Sequence, residues 1–495
     1  MDLLNAFLNI LQPSTLLIMI AGSIGGIIIG AMPGLTSVMG VTLLLPFTYG
    51  MDPSVSIAML LSISFGAIYG GSITAILIGT PGTPASAATM IEGRKFAARG
   101  EGGRAIGIST VASWCGGTIS AIVLILIAPQ LAKVALNFGA PEYCCLALFG
   151  LTIIASISGK SMIKGIIAGL IGLLLSTIGL DPMTGFSRYS FGVVNLYSGL
   201  QVVPLMIGLF AISQVFVNLK DGVAQNRITQ KVDRVLPTKE DLKEALPVSI
   251  RSGFIGTFIG IIPAAGADIA AFVSYDVAKK FSRHPEKFGT GVVEGLAAPE
   301  AGNNGDTSGA LVPMLTLGVP GDATAAVLIG ALTLHGLQPG PLLFTENALV
   351  VNNIFASTLV ANLLFLIFGL LGIRLFVKVI QIKPYILTPV IFVLCIIGSY
   401  ALRNNLFDVG AMLVIALIGY FFIYLEIPIA PVVLALILGP MLESNLRRSL
   451  LMSGGSFSIF FTRPISVAFL VLALISLLWP LLRKKMEAET GAKAE

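Results

Sequence analysis

Long apolar blocks, each bounded by short polar stretches, dominate the chain. Those at 16–29, 55–68, 105–128, 163–178, 202–217, 350–373 and 465–482 are long enough to enter or cross a hydrocarbon layer. At about 20 residues per span, the pattern predicts an all-α polytopic membrane protein with about 10–12 spans and two re-entrant hairpins. Proline and glycine break the apolar pattern at four places. The first half carries Gly30-Ala-Met-Pro33-Gly34-Leu-Thr36 and Gly79-Thr80-Pro81-Gly82-Thr83-Pro84; the second carries Gly260-Ile-Ile-Pro263-Ala-Ala-Gly266 and Gly318-Val-Pro320-Gly321-Asp322. Irregular backbone cannot face lipid unsatisfied, so breaks of this kind line a cavity or sit within protein. Their pairing in two halves points to a transporter's substrate site.

The breaks recur in the same order. Ile29-Gly30 to Pro33 aligns with Ile259-Gly260 to Pro263 at an offset of 230, and Gly79 to Gly82 aligns with Gly318 to Gly321 at an offset of 239. Charge sets the orientation of the copies. Arg94, Lys95, Arg99 and Arg104 follow the second break of the first copy, whereas in the second copy the stretches Lys220 to Lys243 and Lys279 to Lys287 are basic and 288–373 has no Lys or Arg. The positive-inside rule then makes this an inverted-topology repeat, with the N-terminus outside and the tail at Arg483 to Lys485 inside. The expected organisation is a first repeat at 1–218 with breaks at 30–36 and 79–86, and a cytoplasmic linker at 219–247. A second repeat at 248–383 has breaks at 260–268 and 318–324, and spans at 384–495 serve as scaffold or contact in a homo-oligomer, ending in a basic cytoplasmic tail.

Composition narrows the class. The 495 residues are 55% hydrophobic and 11% charged, outside the range of soluble domains. The net charge of +5 is concentrated in a few loops, which fits cytoplasmic loop bias rather than nucleic-acid binding. Cys115, Cys144, Cys145 and Cys395 lie in apolar surroundings without zinc-site spacing and are expected to be buried thiols. Residues 1–93 contain no Lys or Arg, so the first apolar block lacks the basic flank of a cleaved signal peptide.

The chemistry expected of the breaks follows from exposed peptide groups. A helix beginning inside a membrane presents free N–H groups and a positive dipole end, suited to a carboxylate or phosphate. In the first copy the candidate substrate contacts are Gly34, Thr36, Ser37, Thr80, Pro81, Gly82, Thr83 and Ser86. Thr83 is placed as an N-cap, Pro84 at the first helical position, and the small residues let a ligand approach the main chain. In the second they are Asn303, Asn304, Pro320 and Gly321. The second copy also holds Asp268, Asp306 and Asp322, candidate sites for a co-transported sodium ion or proton. Asp322 fits an ordinary N-cap equally well, and the Asn pair fits the closing of a helix break. Glu300 is paired locally or lies near the aqueous boundary. His284 and His335 belong to no metal motif, and neither a phosphate-binding loop nor a nucleotide fingerprint is present, so neither an ATP motor nor a bound cofactor is expected.

The segments Ala298-Pro-Glu-Ala-Gly-Asn-Asn304, Leu315-Thr-Leu-Gly-Val-Pro-Gly321 and Leu334-His-Gly-Leu-Gln-Pro-Gly-Pro341, with Gly30 to Thr36 and Tyr69 to Pro84, resemble the large membrane subunit of tripartite tricarboxylate transporters, the TctA type. The resemblance implies a multi-pass permease of the bacterial inner membrane. Its partners would be a small membrane subunit and a periplasmic solute-binding protein, its cargo a carboxylate, and its drive an ion gradient, with elevator-like movement of the break-bearing domain. It supports Pro33, Gly34, Pro81, Gly82, Asn303, Asn304, Pro320 and Gly321 as site-forming positions. Gly305-Asp306 departs from the small apolar residues expected after the Asn pair. The competing class is a gated ion channel with the breaks as selectivity filter; an intramembrane enzyme finds no nucleophile–base or metal constellation.

Overall fold

The computed structural model describes residues 2–32, 34–157, 161–181, 183–221, 235–263, 265–379 and 384–491. Pro33, residues 222–234 of the expected linker and the last four residues lie outside them. In chain order the helices begin with α1 (Asp2–Ile10), α2 (Pro13–Gly30), α3 (Ser37–Leu44), α4 (Pro53–Leu77), α5 (Ala87–Ala98), α6 (Gly102–Ala135), α7 (Ala140–Ile157) and α8 (Met162–Ser176). A two-residue antiparallel pair follows, β1 (Gly179–Leu180) with β2 (Ser187–Arg188). Next come α9 (Val202–Met206), a π-helical stretch Ile207–Ile212, α10 (Ser213–Asp221), α11 (Lys239–Ile261), α12 (Gly266–Phe281), α13 (Val293–Gly309), α14 (Leu311–Leu317) and α15 (Ala323–Leu334). The chain ends with α16 (Leu343–Glu346), α17 (Ala348–Leu371), α18 (Ile373–Val379), α19 (Pro384–Ala401), α20 (Leu406–Tyr424), α21 (Ala430–Met452), α22 (Ile459–Thr462) and α23 (Pro464–Gly491).

Local signals explain several starts. Pro53 opens α4 while Asp52 accepts from the amides of Ser54 and Val55, and Thr238 with Asp241 forms a capping box for α11. Among the described residues six helical stretches are long and apolar enough to cross a membrane: Pro13–Gly30, Pro53–Leu77, Gly102–Ala135, Val202–Lys220, Ala348–Leu371 and Leu406–Tyr424. Five shorter apolar helices accompany them. This is an all-α polytopic membrane protein. All four predicted breaks are interruptions of helix, and all four cysteines are buried free thiols.

Two compact units divide the chain, one of residues 1–133 and 210–404, the other of 134–209 and 405–495. In the first, α2 packs on α4 and α11 on α13 so closely that backbone meets backbone. A methyl group on Gly26 would overlap the Ile63 carbonyl, and one on Gly30 the Ala67 carbonyl; from the other side Gly66 faces Ser23 O and Gly70 faces Ile27 O. The second pair repeats these contacts. Gly256 meets Gly302 O, Gly260 meets Asp306 O, Gly305 meets Gly253 O and Gly309 meets Thr257 O. Each residue of the first helix has risen by 230 and each of the second by 239, the offsets of the break motifs themselves.

In the second unit α21 packs on α7 and α8, and α23 on α7. Glu142, buried at the start of α7, accepts from Arg463 Nε at 2.5 Å and from the Gly139 amide at 2.8 Å. Asp181 lies beside β1. The amides of Met183 and Thr184 (2.8 and 3.0 Å) and then the Arg447 guanidinium (2.6 Å) hold its carboxyl well below the usual carboxylate range. Exposed Leu170, Leu174, Val414, Leu417 and Phe421 give this unit the apolar exterior that lipid contact requires.

The backbone contacts predict that Gly26→Leu and Gly256→Leu each destabilise the protein, by about 1–3 kcal/mol or more from overpacking, with neither milder than Gly25→Leu, whose position is open. Thermal unfolding in detergent measures this. The depressed Asp181 group stabilises the folded state above its unfolded value, about pH 4, and that contribution is lost as pH falls through the lower folded value. Arg447→Ala raises the folded value, so hydrogen exchange at the Met183 and Thr184 amides should accelerate at a higher pH than in the parent chain.

Candidate functional site

Each second break begins at a left-handed glycine. Gly79 (φ +73°) follows the end of α4 and Gly318 (φ +71°) the end of α14, a conformation glycine adopts without a Cβ penalty. From there the chain doubles back on the preceding helix. Gly82 N donates to Gly71 O at 3.2 Å, and the Gly82 Cα lies against the Gly30 carbonyl. In the second half Gly321 lies against Ala310 and the Gly260 carbonyl, positions related to Gly71 and Gly30 by the same two offsets. The space beside Gly82 and Gly321 is therefore filled by neighbouring backbone, and close packing, rather than close approach of a ligand, accounts for glycine there.

The short helices after the breaks are capped differently. Thr83 has extended backbone ahead of the 3-10 turn Pro84–Ser86, and Ser86 Oγ donates back to Thr83 O at 2.8 Å, while Thr83 Oγ1 is buried without a partner. At the corresponding place Asp322 accepts from the Ala325 amide at 2.6 Å, so it is an N-cap of α15. Thr36 caps α3 by accepting from Met39 N at 3.2 Å. Ser37 Oγ lies 3.4 Å from Thr324 Oγ1, joining the helix after the first break of one half to the helix after the second break of the other. Gly34 is exposed beside Asn218, Thr80 and Pro81 are half-buried, and Pro320 is buried.

Helix α13 carries the polar residues of the second half into this region. Asn303 Nδ2 reaches Ala85 O at 3.4 Å, and Asn304 Nδ2 donates to Asn303 Oδ1 at 2.6 Å and to Glu300 O at 3.1 Å. The Asn pair thus ties α13 to the turn after the first half's second break. Glu300 is fully buried and paired: Ser72 (2.6 Å), Ser109 (2.8 Å), Ser113 (2.8 Å) and Thr89 all donate to its carboxylate. Four hydroxyls from α4, α5 and α6 occupy the four acceptor positions of one carboxylate.

Asp306, less than two turns further along α13, is also 0% exposed, yet neither of its oxygens has a hydrogen-bond partner. The charges that act on it are Asp322 and Asp268. Asp268 is exposed in the first turn of α12 and Asp322 is half-buried. The three aspartates do not make a metal centre: among the described residues no group of three or more His, Cys, Asp or Glu is placed to hold a metal ion.

Two residues at this site escaped sequence reasoning. Arg94, in the basic stretch after the break, reaches back along α4 so that Nη1 donates to Leu77 O at 2.8 Å beside Gly79. Glu92, fully buried, accepts from the amides of Gly289 (2.5 Å), Gly291 (2.6 Å) and Val292 (3.1 Å) and from Tyr275 Oη (2.9 Å). The available signal for Glu300's partners was the i,i+4 pair Ser109 and Ser113 on an otherwise apolar helix.

Comparison with known proteins agrees with this architecture. The family model described as "Tripartite tricarboxylate transporter TctA family" matches residues 16–434. The chain is 36% identical over 494 residues to the "Uncharacterized 52.8 kDa protein in TAR-I ttuC' 3'region" of Agrobacterium vitis, covering 98% of both chains. It is 39% identical over 227 residues to the "Uncharacterized protein in TAR-II ttuC' 3'region" of the same organism, covering 46% of this chain and 94% of that one. No solved structure matches it. A match over most of the length by a family of transporter components, joined to the apolar helices and paired breaks above, places this chain in the tripartite tricarboxylate transporter TctA family, as a multi-pass membrane subunit that works with partner subunits.

Proposed function

We propose that this chain is the substrate-translocating permease of a secondary active importer in the bacterial inner membrane. Its cargo is an organic anion, a di- or tricarboxylate, handed over by a periplasmic binding protein. A small membrane subunit completes the system, and a sodium or proton gradient drives it. The observation that carries the proposal is the duplication of the break contacts: Gly82 on Gly30 and Gly71 in one half, Gly321 on Gly260 and Ala310 in the other.

The copies face opposite ways in this proposal, and two end contacts support that. Arg99 at the end of α5 donates to Thr290 O (3.3 Å) and Gly291 O (2.8 Å), in the connection from α12 to α13. His335 at the end of α15 lies 3.5 Å from Thr48, just past α3. By the offsets α5 corresponds to α15 and α3 to α12, so each end contact pairs unlike elements of the two copies. The two contacts lie toward opposite ends of α4, whose 25 residues span about 37 Å. Asp52 caps its start, where Ser56 Oγ donates to Thr48 O at 3.3 Å, and Arg94 sits at its end. Two breaks pointing inward from opposite sides make a site that either face can reach in turn. The first copy's donors suit an anion: the start of α3, the unpartnered Thr83 hydroxyl, and Arg94 beside Gly79, whereas Asp268 and Asp322 occupy the helix starts of the second copy.

Reconstitution with the partner subunits tests the proposal. A sodium or proton gradient should drive saturable carboxylate uptake and counterflow without ATP. Uptake that requires ATP, or flux that neither saturates nor shows counterflow, overturns it. Gly82→Val and Gly321→Val push on corresponding backbones, so each should lower uptake by roughly tenfold or more through about 1–3 kcal/mol of misfit while the protein still reaches the membrane. Normal uptake in one variant beside a dead second would break the proposed equivalence.

A further inference from the structure

We propose that Asp306 is the residue at which this permease takes up and releases a proton, making it the coupling site of the second copy. The inference rests on the permease reading and deepens it by naming both the ion and the residue that carries it.

The two copies provide the control. By the packing offset, Asp306 stands where the first copy has Ala67: the backbone of Ala67 receives Gly30, and the backbone of Asp306 receives Gly260. An alanine therefore satisfies the helix contact, and the carboxyl group at 306 is not needed to hold α11 on α13. Nor does the surrounding protein use it, because both of its oxygens are buried and without partners. An ionised carboxylate in that condition costs several kcal/mol, and the cheapest remedy is a proton. Every charge acting on the group adds to that cost, since Asp322 ahead of α15 and Asp268 on α12 are both acidic.

A proton needs only the carboxyl itself, whereas a metal ion needs several oxygens closing around it. The described His, Cys, Asp and Glu form no group of three or more placed to hold one, and the buried oxygens of Asn304 and Ser308 make added sodium the competing ion that the test below includes. The backbone against Asp306 belongs to Gly260, a neighbour that adds bulk from no side chain. Toward the second break Gly321 packs on Gly260, and of the two acidic neighbours Asp322 is half-buried and Asp268 exposed. Glu300 on the same helix cannot do this work while four hydroxyls hold its oxygens. A carboxyl that must be neutral when enclosed and can ionise when its surroundings open is what coupling a proton to an alternating site requires.

Infrared difference spectroscopy of the full chain in liposomes, between acidic and alkaline pH, reads the proton without knowledge of the substrate. The expected result is a protonated-carboxyl C=O band that disappears in Asp306→Asn and in Asp306→Ala and persists in Asp322→Asn. A band unchanged in both position-306 variants overturns the proposal, as does a band that added sodium removes at constant pH. With the partner subunits present, uptake driven by a pH gradient should fall at least about tenfold in Asp306→Asn while carboxylate counterflow continues. Undiminished pH-driven uptake in that variant also overturns it. Failure of the permease reading looks different: the parent chain then shows neither uptake nor counterflow under either gradient, whatever the infrared band does.

Discussion

Close approach of backbone to backbone is the constraint from which the rest of the first unit follows. Gly26 and Gly30 on α2, with Gly66 and Gly70 on α4, let two helices meet with no side chain between them. Apolar burial cannot drive helices together in lipid as it does in water, so dispersion contacts at such small-residue faces take over. The same face ends at the breaks, where Gly82 rests on Gly30 and Gly321 on Gly260. The glycines that bring the helices together thus also fix where the irregular chain turns, which places the short helix starts opposite one another.

Two buried carboxylates on one helix show how environment separates structural from mobile chemistry. Glu300 has its acceptor positions filled by hydroxyls from three other helices and serves as a knot among them. Asp306 has the same burial and no partner. A polar group that the fold leaves unused at such cost is a better place to look for function than one the fold employs.

Much of this was legible in the sequence because proline and glycine mark helix breaks directly. The offsets 230 and 239, seen in four motifs, recur in eight packing contacts of the structure. The Asn pair's role in closing a break, and Asp322's as a cap, were among the alternatives that residue type allowed. Other features could not be read. Glycine at 82 and 321 suggested ligand access, but only the fold shows which backbone fills that space. Arg94 lies outside every break motif and reaches one only because α5 runs back along α4. Glu300's four donors are scattered from position 72 to 113 and meet through tertiary packing alone.

The Glu92 clamp has a consequence for how such a chain can diverge. Three of its four donors are main-chain amides, which every residue but proline supplies. The clamp itself therefore places no demand on side-chain identity along 288–292, although positive φ restricts Gly289 and Gly291, and packing beside Tyr275 restricts Phe288 and Val292. One acidic side chain on α5 anchors an entire connecting segment through its main chain, so the mutational pressure that comes from the clamp concentrates on position 92.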